Sequence, residues 1–219
     1  QTNEVARSAA LWPGMMHIAR RFGPRMEWIE IGASAGLNLN MDMYGYRLGS
    51  AVAGDMLSPL QLVPDWQGAN PSVVDVRVMD RVGIDLLPLD VSDDVVAEHL
   101  QAYIWPDQRE RMTRTQTAIA MAKGARPPLI GGNALDLLPP LLAEPQAEGR
   151  TRVIYHSIAL QYFSSEGRMA VRDMIETAGA RATPAAPLAW LGLEFPPLTP
   201  IFTSITHVSA RKALLQCRA

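Results

Sequence analysis

The sequence predicts an α/β fold built on a mostly parallel central sheet, and three observations carry that expectation. Short apolar runs alternate with helical patterns along most of the 219 residues, the order that parallel strands joined by crossover helices leave in a chain. One apolar run, Trp28 to Ile31, passes directly into the tiny-residue turn Gly32-Ala33-Ser34-Ala35-Gly36 and then into a helix start. A second run, residues 127–130, leads into another small-residue turn, Gly131-Gly132-Asn133. In such a sheet the turns leaving the carboxyl ends of the strands are where small ligands bind. With 48% hydrophobic residues the chain can bury one sizeable core, so residues 1–219 read as a single domain.

Composition narrows the function. Net charge is −2 and the isoelectric point about 6.1, so no broad basic surface invites nucleic acid. The single cysteine, Cys217, forms no internal disulfide and fits a reducing compartment. No apolar run is long enough to span a bilayer and no signal peptide pattern is read, so a cytoplasmic location is expected, without membrane partners. Four dispersed histidines and one cysteine supply no metal-ligand cluster. The chain opens at Gln1 in helical pattern and stops at Cys217-Arg218-Ala219 after a strand-like run, which reads as a piece of a longer protein trimmed at both ends.

In chain order, residues 3–22 read as helix, with Val5, Ala9, Trp12, Met16 and Ala19 on one face and a break at Pro13-Gly14. Glu4 and Arg7 are spaced for an ion pair. Trp28 to Ile31 form the first strand, with Glu30 near its end. Residues 39–72 read as a long, mostly irregular insertion punctuated by glycines and prolines, and Tyr44, Tyr46 and Trp66 would suit a lid. Residues 73–79 and 82–85 form the next strand region, ending on Asp85, where an acid commonly hydrogen-bonds ribose hydroxyls. Helices follow over 94–103 and 107–123, with Arg109, Arg111 and Arg114 on a solvated face and Glu110 paired to Arg114. After the Gly131-Gly132-Asn133 turn, Asp136 is expected to cap a helical segment at 137–142. Residues 152–160 are the clearest buried strand and bring His156 and Ser157 toward the ligand edge, making His156 the candidate base. A helix over 167–178 and strands over 188–195 and 202–208 complete the pattern.

Two chemistries fit the first turn. As a glycine-rich turn of a nucleotide-type fold, Gly32, Ala33, Ser34 and Gly36 let backbone approach a ligand closely. As G-x-S-x-G, the same residues form a hydrolase nucleophile elbow with Ser34 attacking, served by Asp136 with His156 or His207. A plain packing turn without ligand is the third possibility.

Glu30-Ile31-Gly32-Ala33-Ser34-Ala35-Gly36 resembles the first motif of S-adenosylmethionine-dependent methyltransferases, with serine for the middle glycine. Val82-Gly83-Ile84-Asp85 is similar to their second-strand segment and Gly132-Asn133-Ala134 to their Gly-Asp-Ala turn. More closely, Gln1-Thr2-Asn3-Glu4-Val5, the 32–39 turn with Asn38, Trp105-Pro106-Asp107-Gln108 and Tyr155-His156-Ser157 resemble an uncharacterised bacterial family with a methyltransferase-like fold. The resemblance spans essentially the whole chain. It implies a Rossmann-like methyltransferase fold, helices on both faces and a long insertion after the first βα unit. It further implies S-adenosylmethionine as cofactor and a small-molecule substrate. By that resemblance Gly32, Ala33, Ser34, Gly36 and Asn38 surround the methionine part, and Glu30 steadies the loop. Asp85 then holds the ribose, and Asn133 with Ala134 meets the adenine. No Asn-Pro-Pro-Tyr or Asp-Pro-Pro-Tyr follows Ile154, which speaks against a base-modifying amino-methyltransferase. Loss of catalysis, leaving an adenosyl-ligand sensor, is the alternative.

Overall fold

The computed structural model describes residues 3–194 and a short strand at 203–205. Helix α1 (Ser8–Phe22) precedes strand β1 (Arg25–Ile31). A 3-10 turn over Asn38–Met43 and three short strands, β2 (Gly45–Leu48), β3 (Ala51–Gly54) and β4 (Gln61–Leu62), separate β1 from β5 (Arg77–Asp85). Helices α2 (Asp94–Ala102) and α3 (Arg109–Ala125) lead to β6 (Leu129–Gly131), and α4 (Ala134–Ala143) to β7 (Thr151–Ser157). Helix α5 (Ser165–Gly179) leads to β8 (Leu188–Leu193), and β9 (Thr203–Ile205) follows.

The main sheet runs β6-β5-β1-β7-β8-β9, with the first five strands parallel and β9 antiparallel to β8. Counted along the chain, the parallel strands stand third, second, first, fourth, fifth, so strand order reverses between β1 and β7. In sheets of this kind the carboxyl ends at such a reversal are where a ligand crevice usually lies. Alternate residues of each central strand feed opposite cores, as a two-residue period requires. Met26, Trp28, Val153, Tyr155, Ala189 and Leu191 pack with α1, α2 and α3. Ile29, Ile31, Ile154, Leu188 and Trp190 pack with α4 and α5 on the other face. All seven β7 residues are buried, as expected of a central parallel strand.

Three local expectations are corrected. The N-terminal helix does not break at Pro13-Gly14: a 3-10 turn over Val5–Arg7 comes first and α1 then runs unbroken past Pro13. Proline there gives up one backbone bond, a loss that nine buried residues on the helix outweigh. Helix α4 begins at Ala134 under an Asn133 cap, three residues before the expected start, so Asp136 lies inside its first turn instead of capping it. The insertion is structured rather than irregular: β3-β2-β4 form a second small sheet. Its tyrosines are core, not lid. Tyr46 stacks on Trp12 with ring centroids 5.2 Å apart, and Tyr44 and Tyr46 donate to the Leu37 and Met41 carbonyls at 2.6 Å. Arg81 of β5 fastens the insertion by a two-pronged bond to Asp42 (2.8 and 2.7 Å) and a third bond to the Leu39 carbonyl (2.6 Å). Of the last expected strand, residue 202 and residues 206–208 lie outside the described residues.

Candidate functional site

Two corners meet at the reversal point, one after β1 and one after β7. The β1 corner is a tightly folded knot. Gly32 and Ala33 donate to the Ile84 carbonyl (2.8 and 3.1 Å), Ser34 donates to Asp85 Oδ2 (2.8 Å), and Gly36 donates to the Ala33 carbonyl (2.8 Å). Asp85 Oδ1 also accepts from the Leu87 amide at 3.0 Å, and the Leu89 amide donates to the Ser34 carbonyl at 3.1 Å. The turn after β5 is thereby sewn to the turn after β1. Gly32, at φ +76°, is required twice over: a Cβ there would stand 2.6 Å from the Ala159 Cβ. Ser34 takes the left-handed region at φ 55°, and its buried hydroxyl has no hydrogen-bond partner.

The third turn joins from β6. Gly131 pairs with Asp85 in register, the Gly132 amide donates to the Asp85 carbonyl at 2.8 Å, and Asn133 follows. Asn133 Oδ1 is spent on the Leu135 amide (3.0 Å) as helix cap, which leaves its exposed amide nitrogen as the outward donor. Ala134 is buried as the first residue of α4. Beside buried Asp85, Leu86 and Leu87 are 77% and 70% exposed. A cavity of about 530 Å³ opens alongside, lined by Leu87, Leu89, Val96, His99, Leu100 and Tyr103. That volume suits a small molecule.

The segment ahead of β1 closes over the knot. Asn3 Oδ1 accepts from the Leu37 amide (2.9 Å), Ser8 Oγ donates to Asn38 Oδ1 (2.7 Å), and Arg7 donates to the Ser157 carbonyl (3.1 Å). The Asn38 amide nitrogen is buried without a partner. Arg7 does not pair with Glu4. Glu4 instead takes Arg111 and Arg114 at 2.5 and 3.1 Å, so those two arginines are half-buried partners and not solvated decoration. Glu30 is 1% exposed, and burial pushes its carboxyl well above the usual carboxylate range. The Tyr155 hydroxyl and the Arg7 charge pull the other way without offsetting it. Tyr155, 3.3 Å from Glu30 and 3.4 Å from the Asn38 carbonyl, links that carboxyl to the turn.

The β7 corner is organised by Glu194. Its Oε1 lies 2.7 Å from His156 Nδ1 and accepts from the Ala159 and Leu160 amides at 3.0 Å each. Burial alone would raise this carboxyl; the His156 contact and the two amides overcome it and hold it below its ordinary value. His156 is 3% exposed, its ring lies against Gly192, and Nε2 is buried without a partner. The intervening Ile158 is held at φ 52°, an unusual region for a β-branched residue. The Ser34 hydroxyl is not hydrogen-bonded to His156, and Asp136 is exposed on α4; His207 lies outside the described residues.

The three turns named in the sequence therefore do converge, with Asp85 at their junction. Sequence reasoning missed Glu194, Arg7, Asn3 and Ser8. Glu194 ends an apolar strand run in the same way as Asp85, a signal that was available. A family of uncharacterised proteins conserved in bacteria (DUF2332) matches residues 1–214. The chain belongs to this family. No curated protein and no solved structure matches it. Among the described residues of this family member no helix is long and apolar enough to cross a membrane, and no three His, Cys, Asp or Glu side chains gather as a metal site would require.

Proposed function

We propose that the chain binds S-adenosylmethionine at the crevice between β1 and β7 and transfers its methyl group to a small molecule. The observation that carries this reading is the junction of three separate turns on Asp85: Ser34 amide to Oδ2, Leu87 amide to Oδ1, Gly132 amide to the carbonyl. An acid at this point faces the ribose of an adenosyl ligand. Exposed Leu86 offers a flat apolar contact for adenine, and the outward Asn133 amide nitrogen offers a donor to its ring. Most Gly32–Gly36 amides are already satisfied within the protein, so the turn shapes the crevice more than it grips the ligand. The neighbouring cavity is the proposed seat of the acceptor. A sulfonium methyl is already activated, so alignment of acceptor, methyl carbon and sulfur supplies most of the chemistry. His156 is sealed against Glu194 and is given no base role in this scheme.

Calorimetric titration with S-adenosylmethionine and S-adenosylhomocysteine tests the reading, with micromolar binding expected and no binding of either overturning it. Transfer of label from methyl-labelled S-adenosylmethionine to a small-metabolite extract then tests catalysis. A second reading, an adenosyl sensor without turnover, is favoured by the sealing of His156 against Glu194, which removes the one candidate base on the central strands. Binding without label transfer supports it. Labelling of Ser34 by a fluorophosphonate would instead revive the hydrolase.

A further inference from the structure

Six arginines of the described residues besides Arg7 are buried or half-buried, and each is accounted for. Arg81 faces Asp42, Arg111 and Arg114 face Glu4, and Arg150 and Arg152 face Glu27. Arg168 is spent on the Phe163 carbonyl and the Ser165 hydroxyl. Arg7 makes one bond, to the Ser157 carbonyl at the end of β7, and no ion pair among the described residues. The acids that feel its charge are committed elsewhere: Glu4 to two arginines, Glu194 to His156 and two amides, and Glu30 sealed beside Tyr155. A guanidinium keeps its charge and offers five donors in a planar fork, so one carbonyl leaves most of its capacity unused. Its partner Ser157 is followed by strained Ile158, and its chain neighbour Ser8 holds Asn38 Oδ1, while the Asn38 amide nitrogen has no partner.

We infer that Arg7 receives the carboxylate of an amino-acid group at the β7 end of the crevice, opposite the adenine end at Asp85 and Asn133. The inference rests on the adenosyl reading and specifies which part of the ligand the opening segment recognises. Free Nη and Nε groups of Arg7 donate to the two carboxylate oxygens, and the Asn38 amide nitrogen is the neighbouring neutral donor. The ligand class is therefore an adenosyl compound carrying an α-amino acid, and adenosyl compounds lacking one are discriminated against.

Titration of the whole chain with S-adenosylhomocysteine and with 5′-methylthioadenosine, which lacks the amino-acid group, tests this directly. Wild type should prefer S-adenosylhomocysteine by about 10- to 100-fold, the worth of a charge-assisted fork. Arg7→Gln should abolish that preference while leaving 5′-methylthioadenosine binding unchanged, and Arg7→Lys should retain part of it. Thermal melting of each variant separates lost recognition from lost folding, and Arg7→Lys carries the test if Arg7→Gln does not fold. An unchanged preference in Arg7→Gln, or none in wild type while both ligands bind, overturns the role of Arg7 and spares the adenosyl reading. Failure of both ligands to bind wild type overturns the adenosyl reading itself, and this inference with it.

Discussion

Glu30 and Glu194 are both nine-tenths buried, stand at the ends of neighbouring parts of one sheet, and are driven in opposite directions. Glu30 has a tyrosine hydroxyl and little else, so desolvation wins and its carboxyl favours the protonated form. Glu194 has an imidazole and two amides, so hydrogen bonding wins and it favours the carboxylate. Burial by itself does not decide a charge state; the donors within reach do. The β1 corner accordingly holds itself together through backbone and Asp85, whereas the β7 corner hangs on a single carboxylate oxygen.

The largest effect should come from Glu30, because an isolated buried carboxyl carries the heaviest desolvation cost. Its folded pKa is raised, so the folded form holds a proton that the unfolded form releases, and its contribution falls as pH rises from the ordinary carboxylate range through the folded value. Glu30→Gln should match wild type in acid and become progressively more stable than wild type toward neutral pH, read by urea unfolding across pH. Equal profiles would break the contrast. Next, Glu194→Ala leaves His156 and two amides unanswered and should lower stability by about 4 kcal/mol. In wild type that stability is present above the ordinary carboxylate range and is lost as pH falls through the depressed folded value, the reverse of Glu30. Gly32→Ala drives a Cβ to within 2.6 Å of Ala159 at a positive φ, and a loss of about 3 kcal/mol in chemical denaturation is expected. Asp85→Asn turns one accepting oxygen into a donor against an amide and should lose about 2 kcal/mol, with weakened adenosyl binding as the functional readout. Smallest, Ser34→Gly removes an unpartnered buried hydroxyl and the left-handed strain together, for a gain of about 1 kcal/mol in melting experiments.

The parallel sheet and the convergence of three turns were legible because β1, β5 and β6 each left an apolar run ended by an acid or a glycine. Asp85 could be singled out for that reason, although it lies 49 positions after Gly36. What escaped the sequence depends on partners chosen in three dimensions. Glu4 and Arg7 sit at pairing distance along a helix, yet a 3-10 turn precedes α1 and Glu4 finds arginines more than a hundred positions away. Tyr44 and Tyr46 looked like mobile aromatics because nothing local reveals the small sheet that buries them. His156 looked available because the partner that claims it, Glu194, lies one strand further along.

The clasp made by Asn3, Arg7 and Ser8 also fixes an order of assembly. Two of its bonds close loops of 34 and 30 residues, but the Arg7 bond to Ser157 spans 150. Contacts so distant along the chain form late. During synthesis the opening segment can settle on the first turn early and must then wait, half fastened, until the fourth parallel strand has been made. The proposed crevice is thus among the last parts of this molecule to mature, and slow refolding should show first as delayed competence for the proposed ligand, not as missing secondary structure.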